Sequence, residues 1–350
     1  MVGMSMESVQ FGKATEILQK ILRANNFSSL HILTDENTGS ACLPRLDDLK
    51  FERKIHHLNF PAGEEFKTLA TCTDVWRTLI AQSADRNSLL VSLGGGVVTD
   101  LGGFCAATFM RGMHFVHLPT SVLGMTDAAI GGKTGVDFDT YKNYIGSFAE
   151  PLAVIIDVGF LETLDNRQRR NGLAEILKHG FINDPELVDD IMTVGRIDDF
   201  EWERILKRSV LTKLKLIEGD KYDRGLRAAL NFGHTVGHAI ESFSMNTDNP
   251  LHHGEAIALG MLVEGRISNL VTGLPAADLA KLESAVNQYF PEIDFPVISI
   301  NQLHEYVQRD KKKSGGDVLY SLISAMGVPE LRQIVPETAV NEAYLHYAKR

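Results

Sequence analysis

The sequence predicts an α/β domain followed by a mostly α-helical domain, with a boundary near residue 165 of the 350 residues. In the first half, short apolar runs alternate with helix-favouring segments, which is typical of a mostly parallel sheet with helices packed outside it. From about Asn166 onward the segments are long, amphipathic and poor in strand signals. We therefore expect one domain over residues 1–165 and another over residues 166–350.

Individual elements can be placed within each half. Candidate buried strands are Leu30–Thr34, Ser88–Leu93, His114–Leu118 and Ala153–Ile156. Residues 64–82 carry apolar side chains at helical spacing, and the predicted helices of the second half are 172–195, 200–219, 227–245 and 253–272. A small strand is expected at 317–324.

Composition excludes several classes of function. A net charge of −10 disfavours a general nucleic-acid surface. No apolar stretch approaches the roughly 20 residues needed to span a bilayer, and the first residues lack the apolar core of a signal peptide. We therefore expect a cytoplasmic protein with no membrane partner. Cys42, Cys72 and Cys105 show no paired spacing, so they are interpreted as buried small residues rather than disulfides or metal ligands.

A triple glycine, Gly94–Gly96, follows the predicted strand 88–93 and precedes a predicted helix. Glycines let backbone N–H groups approach a phosphate closely, and the N-terminus of the following helix favours negative charge. Asp100 could bond a ribose, or it could simply occupy the first helical turn, where acids are favoured. A tight structural turn would explain the same glycines.

A second glycine pair, Gly131-Gly132, is surrounded by Asp127, Lys133, Lys142 and Asn143. A lysine beside paired glycines suits a phosphate or carboxylate ligand. The alternative is a solvated lysine on a surface turn.

Histidine and glutamate residues recur at apolar boundaries of three predicted helices. Asn231, His234, His238 and Glu241 have the spacing of one helix face. Glu175, Lys178 and His179 lie on an earlier helix, and His252, His253 and Glu255 open a later one. Structural helices also contain such spacings. Together, however, the three segments indicate a nitrogen and oxygen site for zinc or a similar divalent ion, which could lower the pKa of a substrate hydroxyl.

Basic residues accompany these segments and are candidates for binding an anionic ligand. They are Arg111, Lys133, Lys142, Lys178, Lys213, Arg227, Lys311 and Lys312. Any one of them could be a solvated surface cation, so the prediction depends on their joint placement.

A series of motifs extends from about residue 60 to residue 325. It comprises PAGEEFKTL, GGGVVTDLGGF, RGMHFVHLPTS, DAAIGGKTGV, KNYIG, GLAEILKHG, GLRAALNFGHTVGHAIE, HHGEAIALGM and RDKK. In this order the motifs resemble those of the dehydroquinate synthases, which are sugar phosphate cyclases. The resemblance implies an N-terminal dinucleotide-binding α/β domain, a helical C-terminal domain that holds metal and substrate, and a homodimer.

The resemblance also implies roles for individual residues. The metal ligands, for Zn²⁺ or Co²⁺, would be Glu175, His234 and His253. The NAD-binding residues would be Glu64, Lys67, Gly95, Gly96, Asp100, Thr120, Ser121, Lys142 and Thr163. The substrate would meet Asp127, Lys133, Asn143, Lys178, Lys213, Arg227, Asn231, His238 and one lysine of RDKK, taken as Lys311. Arg111 would reach the substrate phosphate from the partner subunit.

The implied reaction converts 3-deoxy-D-arabino-heptulosonate 7-phosphate to 3-dehydroquinate and phosphate, a carbon–oxygen lyase reaction of the shikimate pathway. It combines transient oxidation by NAD, phosphate elimination, reduction and intramolecular aldol closure. Related cyclases act on sedoheptulose 7-phosphate or glucose 6-phosphate, but the intact segments Gly131–Thr134 and Asn231–His238 favour the heptulosonate.

Two further classes remain as alternatives. A metal-dependent alcohol dehydrogenase would share a glycine loop and helical histidines, and it would release NADH stoichiometrically. A non-catalytic binding protein on this scaffold would lack a metal ligand or a catalytic lysine, and all of these residues are present.

Overall fold

The computed structural model describes residues 6–139, 141–220, 225–291, 293–296, 298–310 and 317–348. It divides into two compact units, Met1–Asp165 and Asn166–Arg350, called here the first and second unit.

The first unit alternates strands and helices, as the sequence predicts. Its elements are β1 (Val9–Phe11), α1 (Ala14–Ala24), β2 (Leu30–Asp35), α2 (Glu36–Ala41), β3 (Ile55–Phe60), α3 (Leu69–Ala81), β4 (Leu89–Gly94), α4 (Gly96–Thr108), β5 (His114–Pro119), β6 (Lys133–Phe138), β7 (Tyr141–Phe148) and β8 (Ala153–Ile156).

Six of these strands form one sheet in the order β1-β8-β5-β4-β2-β3, and every pair in it is parallel. The predicted parallel sheet is thereby confirmed. Strand β4 is buried along its whole length because β2 and β5 flank it and helices cover the sheet. The carboxyl ends of parallel strands meet at one edge, where Gly94 of β4 pairs with Pro119 of β5. Ligands of open α/β sheets bind at this edge.

The four predicted strands are present within one or two residues of their predicted ends. Strands β1 and β3 and the antiparallel hairpin β6–β7 were not predicted. Strand β3 lies at the sheet edge and contains His56 and His57, so it lacks a continuous apolar run. The helix predicted over 64–82 is shorter, because residues 64–66 form a 3-10 turn and Thr68 caps the N-terminus of α3.

The second unit is mostly helical, as predicted. Its elements are α5 (Asn166–Asn183), α6 (Pro185–Val194), α7 (Trp202–Ile217), α8 (His234–Ser244), α9 (His253–Val271), α10 (Ala276–Tyr289), α11 (Ile300–Asp310), β9 (Leu319–Ala325), β10 (Val328–Ile334) and α12 (Glu337–Ala348). Helix α9 lies at its centre and packs against α5, α8, α10 and α12.

Two predicted helices of this unit are wrong in extent. The helix predicted over 172–195 is two helices, because Pro185 begins α6 and the Asp184 side chain caps it. The helix predicted over 227–245 is a 3-10 turn, Leu226–Asn231, followed by α8. Gly233 separates them with a left-handed φ of +80°. Asn231 therefore does not share a helix face with His234 and His238.

Two further features are the length and polarity of the helices and the state of the cysteines. Within the described ranges, each helix is too short or too polar to cross a bilayer. Cys42, Cys72 and Cys105 are buried free thiols, as predicted.

Candidate active site

Three residues predicted as metal ligands come together in the second unit. Glu175 lies on α5, while His234 and His253 are the first residues of α8 and α9. The Nε2 atoms of His234 and His253 lie 3.5 Å and 3.7 Å from the same oxygen, Oε1 of Glu175. Donor atoms of His234, His238 and His253 also lie within 4.8 Å of one another. The structure thus places one carboxylate oxygen and two imidazole nitrogens around a common point.

The other ring nitrogens of the two histidines face away from that point. The Nδ1 of His234 lies 3.2 Å from the carbonyl oxygen of Phe232, and the Nδ1 of His253 lies 3.2 Å from Oε2 of Glu241. A carbonyl oxygen and an ionised carboxylate only accept hydrogen bonds, so each Nδ1 carries the proton and donates. When the imidazoles are neutral, each Nε2 lone pair is free to bind a cation.

Glu175 is fully buried, and its Oε1 receives no hydrogen bond from the described residues. The ammonium of Lys178, one turn further along α5, contacts the other oxygen, Oε2. A buried carboxylate oxygen that accepts no hydrogen bond is costly, so its presence here needs a compensating interaction. A divalent cation held by Oε1 and the two Nε2 atoms would provide one, and this donor set without thiolate suits zinc or cobalt.

The ionisation of two of the three donors, Glu175 and His234, supports this interpretation. Burial acts to raise the pKa of Glu175, but the ammonium of Lys178 outweighs it and holds that pKa well below its usual value. Burial, aided by Lys178, lowers the pKa of His234 well below its usual value. For His253, burial acts to lower the pKa, but Glu241 and Glu175 raise it to about 10. A metal must therefore displace one proton, from His253.

The second unit also contains several residues predicted to bind substrate. Lys178 contacts Glu175, and the His238 ring lies 5.1 Å from that of His234, so both belong to the metal-ligand group. Lys213 on α7 and Arg227 in the 3-10 turn are both buried. Asn231 is exposed, and its side-chain amide donates to the carbonyl of Ala228. Lys311 and Lys312 lie outside the described residues.

In the first unit, the buried Lys67 contacts three other predicted site residues. Its Nζ lies 2.7 Å from Oδ2 of Asp100, 2.7 Å from Oδ1 of Asn143 and 3.9 Å from Oε1 of Glu64. Burial acts to lower the pKa of Lys67, but Asp100 and Glu64 outweigh it and raise that pKa. Burial raises the pKa of Asp100 despite Lys67. Lys67 thus keeps its charge and holds two acidic side chains and one amide in place.

The glycine loop lies at the carboxyl edge of the sheet. Strand β4 ends at Gly94, and α4 begins at Gly96 with its N-terminus towards this edge. The N–H of Thr120 donates to the carbonyl of Gly94 over 3.0 Å, and a Cβ placed on Gly95 would lie 3.4 Å from Oγ of Ser121. Burial raises the pKa of the Cys42 thiol, and the neighbouring side chains of Thr120 and Thr163 act to lower it. The predicted residues Gly95, Gly96, Thr120, Ser121 and Thr163 are therefore associated with one end of the sheet.

The remaining predicted residues of the first unit lie on turns and on the hairpin. Asp127 is half-buried in a π-helical turn, Gly124–Ala128. Lys133 and Lys142 are exposed on β6 and β7. Arg111 is exposed in the turn after α4, where its backbone has a left-handed φ of +67°.

Sequence reasoning missed some contacts of this site. Asp137 accepts the backbone N–H of Asn143 over 2.7 Å and so supports that residue's left-handed conformation, at φ +55°. The position of Asp137 between Lys133 and Lys142 in the sequence could have indicated that it belongs to the site. Cys42 was predicted only as a buried residue, and Glu241 only as part of a polar stripe, because contacts between distant segments have no sequence signature.

Comparison with known proteins covers nearly the whole chain. The family models described as 3-dehydroquinate synthase N-terminal and C-terminal match residues 57–171 and 172–313. A 3-dehydroquinate synthase of Parabacteroides distasonis is 37% identical over 333 residues, 94% of each chain. One from Thermosynechococcus vestitus is 39% identical over 290 residues, 81% of this chain and 78% of the relative.

Solved structures give the same result at the level of the fold. The 2-epi-5-epi-valiolone synthase of Streptomyces hygroscopicus, with NAD⁺ and Zn²⁺ bound, has a TM-score of 0.88 and 26% identity, over 98% of this chain and 96% of that chain. A glycerol dehydrogenase of Schizosaccharomyces pombe shares only the fold, with a TM-score of 0.67 and 14% identity, over 97% of this chain and 88% of that chain. With both halves matched by family models and relatives above 30% identity, the chain belongs to the 3-dehydroquinate synthase family.

Proposed function

We propose that this protein is a 3-dehydroquinate synthase, which converts 3-deoxy-D-arabino-heptulosonate 7-phosphate to 3-dehydroquinate and phosphate with NAD and a divalent metal. The observation that carries the proposal is the approach of two imidazole Nε2 atoms to one buried oxygen of Glu175 that accepts no hydrogen bond from the described residues. This site lies in a chain whose curated relatives are named for that reaction.

Glu175, His234 and His253 are the proposed metal ligands. The chemistry that a bound divalent metal supplies is Lewis acidity, which lowers the pKa of a substrate hydroxyl. Phe232 and Glu241 hold the two rings with each Nε2 towards Glu175, so the donor atoms are arranged before binding. Zinc and cobalt are the proposed ions because the donors are two imidazoles and one carboxylate.

The first unit is the proposed NAD-binding domain, over residues 1–165. The proposed contacts are Glu64, Lys67, Gly95, Gly96, Asp100, Thr120, Ser121, Lys142 and Thr163. The chemistry that NAD supplies when bound is reversible hydride transfer, so no net NADH is formed. Lys67 fixes Asp100 and Glu64 through its buried ammonium, which makes their carboxylates rigid acceptors for ribose hydroxyls.

The second unit, residues 166–350, is the proposed metal- and substrate-binding domain. Lys178, Lys213 and Arg227 are buried cations in a protein of net charge −10, and such groups suit the carboxylate and phosphate of the substrate. His238 is half-buried beside the proposed metal ligands, where its imidazole is placed to act as a general acid or base. Asn231 and Lys311 are further proposed contacts.

The first unit supplies proposed substrate contacts as well. Asp127, Lys133 and Asn143 are assigned to the substrate, and Arg111 to the substrate bound by a partner subunit. A homodimer, which the motif resemblance implies, and a cytoplasmic location are part of the same proposal.

The test is turnover of the heptulosonate phosphate in the presence of NAD⁺ and zinc, followed as released phosphate, with the nicotinamide absorbance recorded in parallel. We expect phosphate release that a chelator abolishes, and no accumulation of NADH. Stoichiometric NADH would instead indicate an alcohol dehydrogenase. Turnover of sedoheptulose 7-phosphate or glucose 6-phosphate in place of the heptulosonate would assign a different cyclase reaction.

A further inference from the structure

A fully buried carboxylate on α9, Glu264, contacts the beginning of α8. Its Oε2 accepts the backbone N–H of Gly233 over 2.7 Å, and its Oε1 accepts the N–H of Val236 over 2.9 Å. Both donors belong to the N-terminus of α8, where Gly233 is the N-cap residue and Val236 is the third helical residue. Glu264 therefore caps a helix other than its own.

The local sequence of α8 cannot supply this cap. In a capping box, the side chain of the N-cap residue accepts the N–H of the third helical residue, and that residue's side chain accepts the N–H of the N-cap. Here the two positions are glycine and valine, which have no side-chain acceptor. One carboxylate from α9 replaces both halves of the capping box. Its negative charge also faces the positive end of the α8 dipole.

The packing of the two helices makes this contact possible. A Cβ placed on Gly260 would lie only 2.0 Å from the carbonyl oxygen of Gly233, so the backbones of α8 and α9 touch at this point. Glu264 lies one turn further along α9, and its side chain reaches back to the α8 N-terminus. Because α8 begins with His234 and α9 begins with His253, this crossing fixes the relative position of two proposed metal ligands.

We infer that Glu264 is a positioning residue, which holds the first turn of α8 so that Nε2 of His234 faces Glu175. The inference depends on the proposed metal site and adds a residue to its support. Without the carboxylate, two buried N–H groups lose their acceptor, and the first turn can satisfy them only by moving. His234 is the first residue of that turn, so its ring moves as well. His238, one turn further, shares the same support.

The experiment compares zinc affinity in metal-free wild type, Glu264→Met and Glu264→Gln, by competition with a chromophoric chelator. The visible spectrum of bound Co²⁺ reports the geometry of the ligands. The matched control is Ser268→Ala, one turn further along α9, which removes a buried hydroxyl that donates to the backbone carbonyl of Glu264 and accepts the N–H of Ile323. Circular dichroism establishes that each variant is folded at the assay temperature.

We expect Glu264→Met to raise the zinc Kd about tenfold or more and to change the Co²⁺ spectrum. Glu264→Gln keeps one acceptor oxygen and should lie between Met and wild type. If Glu264→Met does not fold, the zinc Kd and the Co²⁺ spectrum of Glu264→Gln test the inference. Ser268→Ala should keep the wild-type Kd even if its Tm falls.

Two results would overturn the inference, and they differ. If wild type binds zinc and both Glu264 variants keep its Kd and Co²⁺ spectrum while only the Tm falls, Glu264 stabilises the fold without positioning the ligands. If wild type itself binds no zinc, the metal site fails and the positioning role fails with it.

Discussion

The imidazole of His253 and the carboxylate of Glu241 lie 3.2 Å apart, although they belong to different helices. Glu241 is near the end of α8, and His253 begins α9 after a turn. The contact fixes the ring of His253 so that its Nε2 faces Glu175. Carboxylates that hold metal-binding histidines in this way raise the basicity of the imidazole and set its orientation.

Removing the charge of Glu241 should therefore weaken metal binding. Glu241→Gln can still contact Nδ1, but it no longer raises the basicity of the imidazole that faces the metal site, so we expect zinc affinity to fall by about tenfold. Competition with a chromophoric chelator measures the zinc affinity of the variant and of wild type. The control is Glu283→Gln, which changes a glutamate that accepts from Tyr347 on α12. Equal zinc affinity in Glu241→Gln and wild type would contradict the role of this contact.

Lys178 should be needed most when metal is absent. The Lys178→Met substitution removes the only charge-paired ammonium that Glu175 has among the described residues, and breaking a buried pair costs about 3–5 kcal/mol. We expect the urea midpoint of the metal-free protein to fall strongly, and zinc to restore a large part of it by pairing with the carboxylate.

The matched control for that measurement is Lys215→Met, on the exposed side of α7, where the lysine bonds Asn183. Its midpoint should change little with or without zinc. A Lys178 variant that is equally destabilised in both conditions would show that zinc does not bind beside Glu175.

Asp100 should affect NAD binding and leave metal binding unchanged. Asp100→Asn replaces the carboxylate that lies 2.7 Å from Nζ of the buried Lys67. The substitution would weaken the proposed hydrogen bond between the Asp100 carboxylate and a ribose hydroxyl of NAD. A charged hydrogen bond of this kind contributes about 1.5–3 kcal/mol, so we expect the NAD Kd to rise at least about tenfold. Calorimetric titration with NAD measures it, and Asp74→Asn, on an exposed pair with Arg77, is the control. An unchanged NAD Kd, or a parallel loss of zinc affinity, would contradict this assignment.

Folding stability should depend on pH through His117 on β5. Burial lowers the pKa of this imidazole to about 3, compared with an ordinary value of 6.5. Below pH 6.5 the unfolded chain binds a proton that the folded protein does not bind, so stability falls as pH decreases. His117 alone should contribute about 0.7 kcal/mol per pH unit at pH 6.5, where half of the unfolded chains are protonated, rising towards about 1.4 kcal/mol per pH unit at pH 5.

Urea unfolding at several pH values between 6.5 and 5 measures this dependence, and His117→Asn should reduce its slope by about that amount. Burial also lowers the pKa of His31 and His234, so a slope of the same sign remains in the variant. Identical slopes in both proteins would show that His117 is not kept neutral by the fold.

Local sequence patterns determined much of the architecture. Continuous apolar runs predicted the central strands because a strand buried on both faces needs apolar side chains throughout. The edge strand β3 was missed because His56 and His57 interrupt its apolar pattern. Pro185 and Gly233 each divide a segment that was predicted as one helix. Proline and glycine commonly end helices, but the apolar periodicity continues across both residues and predicts a single helix in each case.

The sequence by itself determined which residues are available: the glycine loop, the lysines and the proposed metal ligands Glu175, His234 and His253. Only the tertiary structure decided which side chains support them. Glu241 orients His253, and Glu264 caps the helix that begins with His234. These contacts join separate helices, and which faces meet is set by packing such as the close approach of Gly260 to Gly233. Sequence periodicity describes one helix at a time, so it carries no information on that pairing.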